Sequence, residues 1–218
     1  LERFLAYPLE EIPYVVVSLL IAFTVHEFAH AFVAYKFGDP TAKEEGRLTL
    51  NPVAHIDPLG TLLILIVGFG WARPVPVNRF YFKKPRLAGV LVSFAGPFSN
   101  FLIATVGYLV LYGLNAAGLE PNVPFYVVDF LKMLIYLNIV LFVFNLLPLP
   151  PLDGYRIIQD LVSSDMRAKM AQYENYGALI FLILVITPLS NYTITPVLTT
   201  LIPFVVQSMS EFFSLLFF

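Results

Sequence analysis

Cysteine is missing from the chain. Its absence excludes disulfide bonds and thiolate metal ligands and leaves the redox compartment open. Charge is also scarce: only 13% of the residues are Asp, Glu, Lys or Arg and the net charge is −2, so nothing in the balance points to nucleic acid or a strongly acidic partner. The first apolar run begins behind Glu10 and Glu11 without a basic leader or a small-residue cleavage site, and is not read as a signal peptide. Internal repeats and low-complexity tracts are lacking too. What is plentiful is apolar surface, with 58% hydrophobic residues and a mean hydropathy of +0.78. A single water-soluble core does not accommodate so many long apolar runs, so one integral membrane domain spanning residues 1–218 is expected, with the lipid bilayer as its solvent.

The expected fold is all-α, a polytopic bundle of membrane helices. Its first helix runs from Ile12 to Phe37, with Pro13 in the tolerated first turn and Gly38-Asp39-Pro40 ending it. A polar connection, Asp39 to Asp57, follows. Pro58 to Gly70 is apolar for only 13 residues, about 20 Å as a helix against a hydrocarbon core of roughly 30 Å, so it reads as a re-entrant segment. Leu87 to Tyr112 is studded with Gly89, Ser93, Gly96, Pro97 and Asn100. Small residues at such spacing let helices approach closely, which places this span at the centre of the bundle. Tyr126 to Leu147 is the next span, and Tyr176 to Leu189 and Ile194 to Phe218 bring the number of crossings to about five.

Loop charges set the orientation. Trp71 to Arg86 carries five basic residues and Asp153 to Tyr173 three, whereas Gly113 to Phe125 has none. The first two are therefore expected on the cytoplasmic side of a cell membrane. Within the basic loop, Pro74 and Pro76 alternate with Val75 and Val77. Prolines confine such a stretch to a sheet edge or to a stiff linker, and an edge could take an unwound substrate by strand addition.

Two of the three histidines lie four residues apart in the middle of the first span, in His26-Glu27-Phe28-Ala29-His30. Residues four apart share a helix face, so both imidazoles can hold one zinc ion, and Glu27 can reach the water that a catalytic zinc carries and act as general base. Ionisable groups inside a membrane are expensive and by default mark a function. A catalytic zinc needs a third protein ligand. The extended spacing that supplies one six residues after the second histidine falls on Lys36, so the candidates are His55, Asp57 and Asp153. Asp153 is favoured. His26 and His30 lie roughly 10 to 16 Å inside the cytoplasmic end of their helix, and Asp153 follows a span reaching the same side through an irregular, proline-rich segment that can fold back towards them.

The His26–His30 motif, Ala95 to Asn100 (AGPFSN) and Asn145 to Gly154 (NLLPLPPLDG) together resemble the site-2 protease family of intramembrane zinc metalloproteases, and Gly46 to Gly60 (GRLTLNPVAHIDPLG) is similar to its short prokaryotic members without a PDZ domain. The resemblance implies zinc held by His26, His30 and Asp153, Glu27 as base, and cleavage of a membrane-embedded protein or peptide near the cytoplasmic face, with a regulatory membrane protein as a further partner. It also implies supporting roles for asparagines: Asn145 on the substrate backbone or oxyanion, and Asn100 in an interhelical hydrogen bond that shapes the site. Asn138, seven residues before Asn145, shares its helix face and turns that face towards the bundle interior. His55 has three readings: a structural or supporting residue, which is favoured, a group that stabilises the tetrahedral intermediate, or a transient zinc ligand, with Asp57 orienting it. The alternative function is a catalytically silent zinc-binding scaffold or transporter of the same fold, which needs the ligands but no general base.

Overall fold

The computed structural model describes residues 5–68 and 70–218. Among the described residues eight α-helices follow one another: α1 Ile12–Lys36, α2 Thr41–Glu44, α3 Pro58–Val67, α4 Pro85–Ala116, α5 Phe125–Asn145, α6 Asp153–Leu161, α7 Ser164–Ile186 and α8 Ile194–Phe217. No strand occurs among the described residues. Four of these helices, α1, α4, α5 and α8, are long and apolar enough to cross a membrane.

The element ends follow from local chemistry. α1 stops where Gly38 adopts φ 102°, a left-handed conformation open to glycine, while Asp39 N–H and Gly38 N–H donate to the carbonyls of Ala34 and Tyr35. α3 begins at Asp57, whose Oδ1 accepts from Gly60 N–H at 2.9 Å, and ends at Gly68 with φ 73°. Its 10 residues reach about 15 Å, half of a hydrocarbon core, in keeping with the re-entrant segment expected over 58–70. Position 69 of that segment lies outside the described residues. Asp57 makes no hydrogen bond to the His55 ring, whose Nε2 pairs with Thr49 O and whose Nδ1 has no partner among the described residues.

The packing centres on α4, which touches α1, α5, α6 and α8. Its small residues let the neighbours in: a β-carbon on Gly107 would lie 2.6 Å from Ile135 Cγ1 of α5, so the two helices meet closely there. On α1 the buried residues include Val15, Ser18, Leu19, Ala22, Phe23, His26, Glu27, His30, Ala31 and Ala34. They form one stripe at helical spacing, while the opposite side leaves Val17 and Phe32 exposed. Both faces are apolar, so hydropathy does not separate them; the small and polar side chains mark the face turned inward.

Two segments have a local structure that differs from their sequence pattern. The fifth crossing, Tyr176 to Leu189, is largely the C-terminal half of α7, whose N-terminal half carries Asp165, Arg167, Lys169 and Glu174; α7 is not among the four helices long and apolar enough to span. The segment around Val75 is extended but pairs with no strand. Its backbone groups are engaged elsewhere: Arg73 N–H donates to His55 O at 2.8 Å, the carbonyls of Arg73 and Pro74 accept from Arg47, Val75 N–H donates to Glu27 and Asn78 N–H to Asp39.

Candidate metal centre

α1 projects His26, Glu27 and His30 into the bundle, and α4 fixes the rings. His26 Nδ1 lies 2.7 Å from Asn100 Oδ1, and His30 Nδ1 lies 2.7 Å from Val92 O. A main-chain carbonyl only accepts, so His30 Nδ1 carries a proton. Asn100 Nδ2 donates to Asn138 Oδ1 at 2.9 Å and to Ala22 O at 3.3 Å. That turns Asn100 Oδ1 towards His26 and makes His26 Nδ1 a donor as well. With both Nδ1 protons committed, each imidazole in its neutral form would present a lone pair from Nε2 in the same direction.

The third group arrives from α6. Pro148, Pro150 and Pro151 prevent α5 from continuing; Leu152 is extended and α6 starts at Asp153. The chain folds back tightly here: a β-carbon on Gly154 would lie 2.5 Å from Leu147 O, so glycine is needed. Asp153 Oδ2 then stands 3.2 Å from His26 Nε2 and 3.3 Å from His30 Nε2, and the two Nε2 atoms are 3.0 Å apart. All three side chains are buried.

Glu27 stands beside this cluster without joining it. Its Oε2 accepts from Val75 N–H at 2.8 Å; among the described residues no hydrogen bond engages Oε1. A cavity of about 830 Å³ is lined by His26, Glu27, His30 and Asp153, by Val75 and Val77 of the extended segment, and by Asn145 of α5. Asn145 Nδ2 donates to Leu141 O within its own helix at 2.9 Å. His55 is not among the residues that line the cavity: fully buried, it pairs Nε2 with Thr49 O at 2.7 Å.

The peptidase family M50 model matches residues 120–188. The chain is also 60% identical over 200 residues, 91% of its own length and 91% of the relative's, to the "Putative zinc metalloprotease YwhC" of Bacillus subtilis. The chain belongs to peptidase family M50, the site-2 proteases. Two further relatives are proteins named "Putative zinc metalloprotease Rip2". That of Mycolicibacterium smegmatis is 32% identical over 183 residues, 81% of this chain and 68% of the relative. That of Mycobacterium tuberculosis is 30% identical over 186 residues, with the same shares. No solved structure matches the chain.

As an M50 member the protein is a zinc metalloprotease and a multi-pass membrane protein. The donor set fits zinc. Ligand atoms about 2.0 to 2.1 Å from a tetrahedral ion stand roughly 3.3 Å from one another, close to the three separations observed. Asp153 Oδ2 is buried without a hydrogen-bond partner and faces the two Nε2 atoms, and a cation among the three would satisfy all of them.

Gly96 of α4 is the closest constraint on this M50 site. A β-carbon there would lie 2.6 Å from His26 Nε2 and 2.5 Å from His30 Cε1. The Gly96→Ala protein is expected to lose most of its bound zinc in metal analysis of the purified protein. Gly113→Ala on the same helix meets only Phe217, at 3.8 Å, and is expected to keep it.

Proposed function

We propose that this M50 protease is a single membrane domain and an intramembrane endopeptidase, with His26, His30 and Asp153 holding zinc and Glu27 as general base, which cuts substrate helices near the cytoplasmic face. The observation that carries the reading is the convergence of His26 and His30 of α1, a helix of membrane-crossing length, with Asp153 of α6, beside a glutamate that lines the same cavity.

Each group has a defined task. His26 and His30 present unprotonated Nε2 atoms because Asn100 and Val92 O hold the protons of Nδ1, and Asp153 adds the negative charge that makes the set selective for a divalent ion. Zinc in such a site supplies Lewis acidity that polarises a substrate carbonyl and lowers the pKa of water towards about 7. Glu27 Oε1, the oxygen that Val75 leaves free, takes the proton of the attacking water and can return it to the leaving amine. The substrate peptide must unwind first, since a helical carbonyl is shielded by its own turn. Asn145 lines the cavity and offers Oδ1 or Nδ2 to the opened backbone. A scaffold or transporter would need the three ligands but gains nothing from Glu27, so the enzyme reading is preferred.

His26 and His30 precede the end of α1 at Lys36 by six to ten residues, about 9 to 15 Å of helix. The second half of the basic Trp71 to Arg86 segment reaches that same end, where Asn78 N–H bonds Asp39 and Phe82 packs with Ala34, and supports a cytoplasmic placement. Two measurements test the reading together. In proteoliposomes containing a single-span helical substrate, the new termini are expected inside the apolar segment. In cells, Lys83→Cys, in a chain that otherwise has no cysteine, is expected to resist a membrane-impermeant thiol reagent added from outside. Products cut only in soluble flanks would reject the intramembrane substrate, and labelling from outside would reject the orientation.

A further inference from the structure

Glu27 does not choose its own position. A glutamate side chain on a helix has three torsions, yet here Oε2 is held by one backbone donor, Val75 N–H at 2.8 Å. That donor has no substitute nearby. Val75 lies between Pro74 and Pro76, neither of which carries an N–H, so a slip of one residue in either direction would set a proline against the carboxylate. The register of the segment therefore decides whether Glu27 is held at all.

Arg47 fixes that register. It is 5% exposed, and its guanidinium grips two successive carbonyls immediately before Val75: Nη2 donates to Arg73 O at 2.6 Å and Nη1 to Pro74 O at 3.1 Å. Arg47 is itself anchored, its N–H donating to Ala42 O at 2.7 Å. Around this grip the segment is tied at both ends, by Arg73 N–H to His55 O and by Asn78 N–H to the buried Asp39 carboxylate at 2.6 Å. Val75 also packs its side chain against Ala31 of α1 and Ala42 of α2. These contacts describe a fixed strap.

The Glu27 carboxylate also interacts with the charge of Arg47, opposing the fall in its pKa that burial causes. A charge alone would require only a cation nearby. Two carbonyls held by one planar fork require arginine, because an ammonium is a point charge without that geometry.

We infer that Arg47 is a positioning residue for the reaction: by holding Arg73 O and Pro74 O it places Val75 N–H on Glu27 Oε2 and so aims Oε1 at the attacking water. The inference rests on the reading of Glu27 as the general base. It assigns to the strap a catalytic purpose beyond covering the cavity, and it gives His55 and Asp39 their place as the ties that hold the strap's ends.

The test uses the full-length protein in lipid, with zinc content, kcat and KM measured on one helical substrate. Arg47→Met is expected to keep its zinc and to lower kcat by on the order of 10- to 100-fold, the cost of a displaced catalytic group, with KM moved less than about threefold. Arg47→Lys is expected to recover little, since it restores the charge and not the fork. Placed on a Glu27→Asp background, whose shorter side chain cannot keep both the Val75 bond and its aim, Arg47→Met is expected to cost little more. Loss of zinc in Arg47→Met, full recovery by lysine, or full additivity with Glu27→Asp would each overturn the inference. Failure of the underlying reading looks different: Glu27→Gln would then still cleave. An inactive Glu27→Gln protein beside an Arg47→Met protein of normal kcat would reject the positioning role alone.

Discussion

Glu27→Gln keeps its zinc and loses cleavage of a helical membrane substrate. The expected drop is about 10²- to 10⁴-fold, the usual contribution of a general base, and metal analysis of the same preparation should show unchanged stoichiometry. The substitution isolates chemistry from structure unusually well at this position. Glutamine has the same shape, and its amide oxygen can still accept from Val75 N–H, the hydrogen bond that holds this side chain among the described residues. Glu27 is not among the three groups that converge on the ion, so no ligand is lost. What disappears is the negative charge on the oxygen facing the cavity and its ability to take a proton. A protein that bound zinc only to carry it or to hold its fold would be indifferent to this change, and unchanged cleavage would remove Glu27 from the role of base.

Much of this arrangement is legible in the sequence, for reasons that also explain what is not. His26 and His30 can be paired because a helix repeats every 3.6 residues, so a four-residue separation is a statement about one face. Asp153 lies 123 residues after His30, and no periodicity links them; only the prolines before it, which break the helix, and the family resemblance bring it to the site. The central place of α4 was written in its small residues, because in lipid those residues, and not hydropathy, mark the contact face. The carbonyl of Val92 that holds His30 leaves no trace in the sequence, since every residue type carries one. The strap misleads for a related reason: alternating Pro and Val reads as an edge strand or a linker, while its actual partners, Arg47, Asp39, His55 and Glu27, are distant side chains and carbonyls that no local pattern announces. α7 shows the limit of hydropathy itself. Its charged first half is helical all the same, so the apolar stretch from Tyr176 is the end of a longer helix, α7, which is not among the four helices long and apolar enough to cross a membrane.

The second large effect separates the three residues that could have completed the zinc site. Asp153→Ala should lose most of its bound zinc, a greater loss than the 10- to 100-fold in affinity that follows removal of an outer partner, because it deletes one of three ligands and the negative charge of the set. His55→Ala should retain zinc. Its ring faces Thr49 O, and its own carbonyl ties Arg73 N–H, a bond that alanine keeps, so its expected cost is a lower unfolding temperature from the emptied buried site. Asp57→Ala should also retain zinc and lose about 0.5 to 2 kcal/mol through the missing cap of α3. Zinc content against added chelator, measured for the three purified variants beside the parent, ranks them without reference to activity. If His55→Ala lost the ion and Asp153→Ala kept it, the convergence of α1 and α6 on a shared cation would be wrong, and with it the placement of the water that Glu27 is proposed to activate.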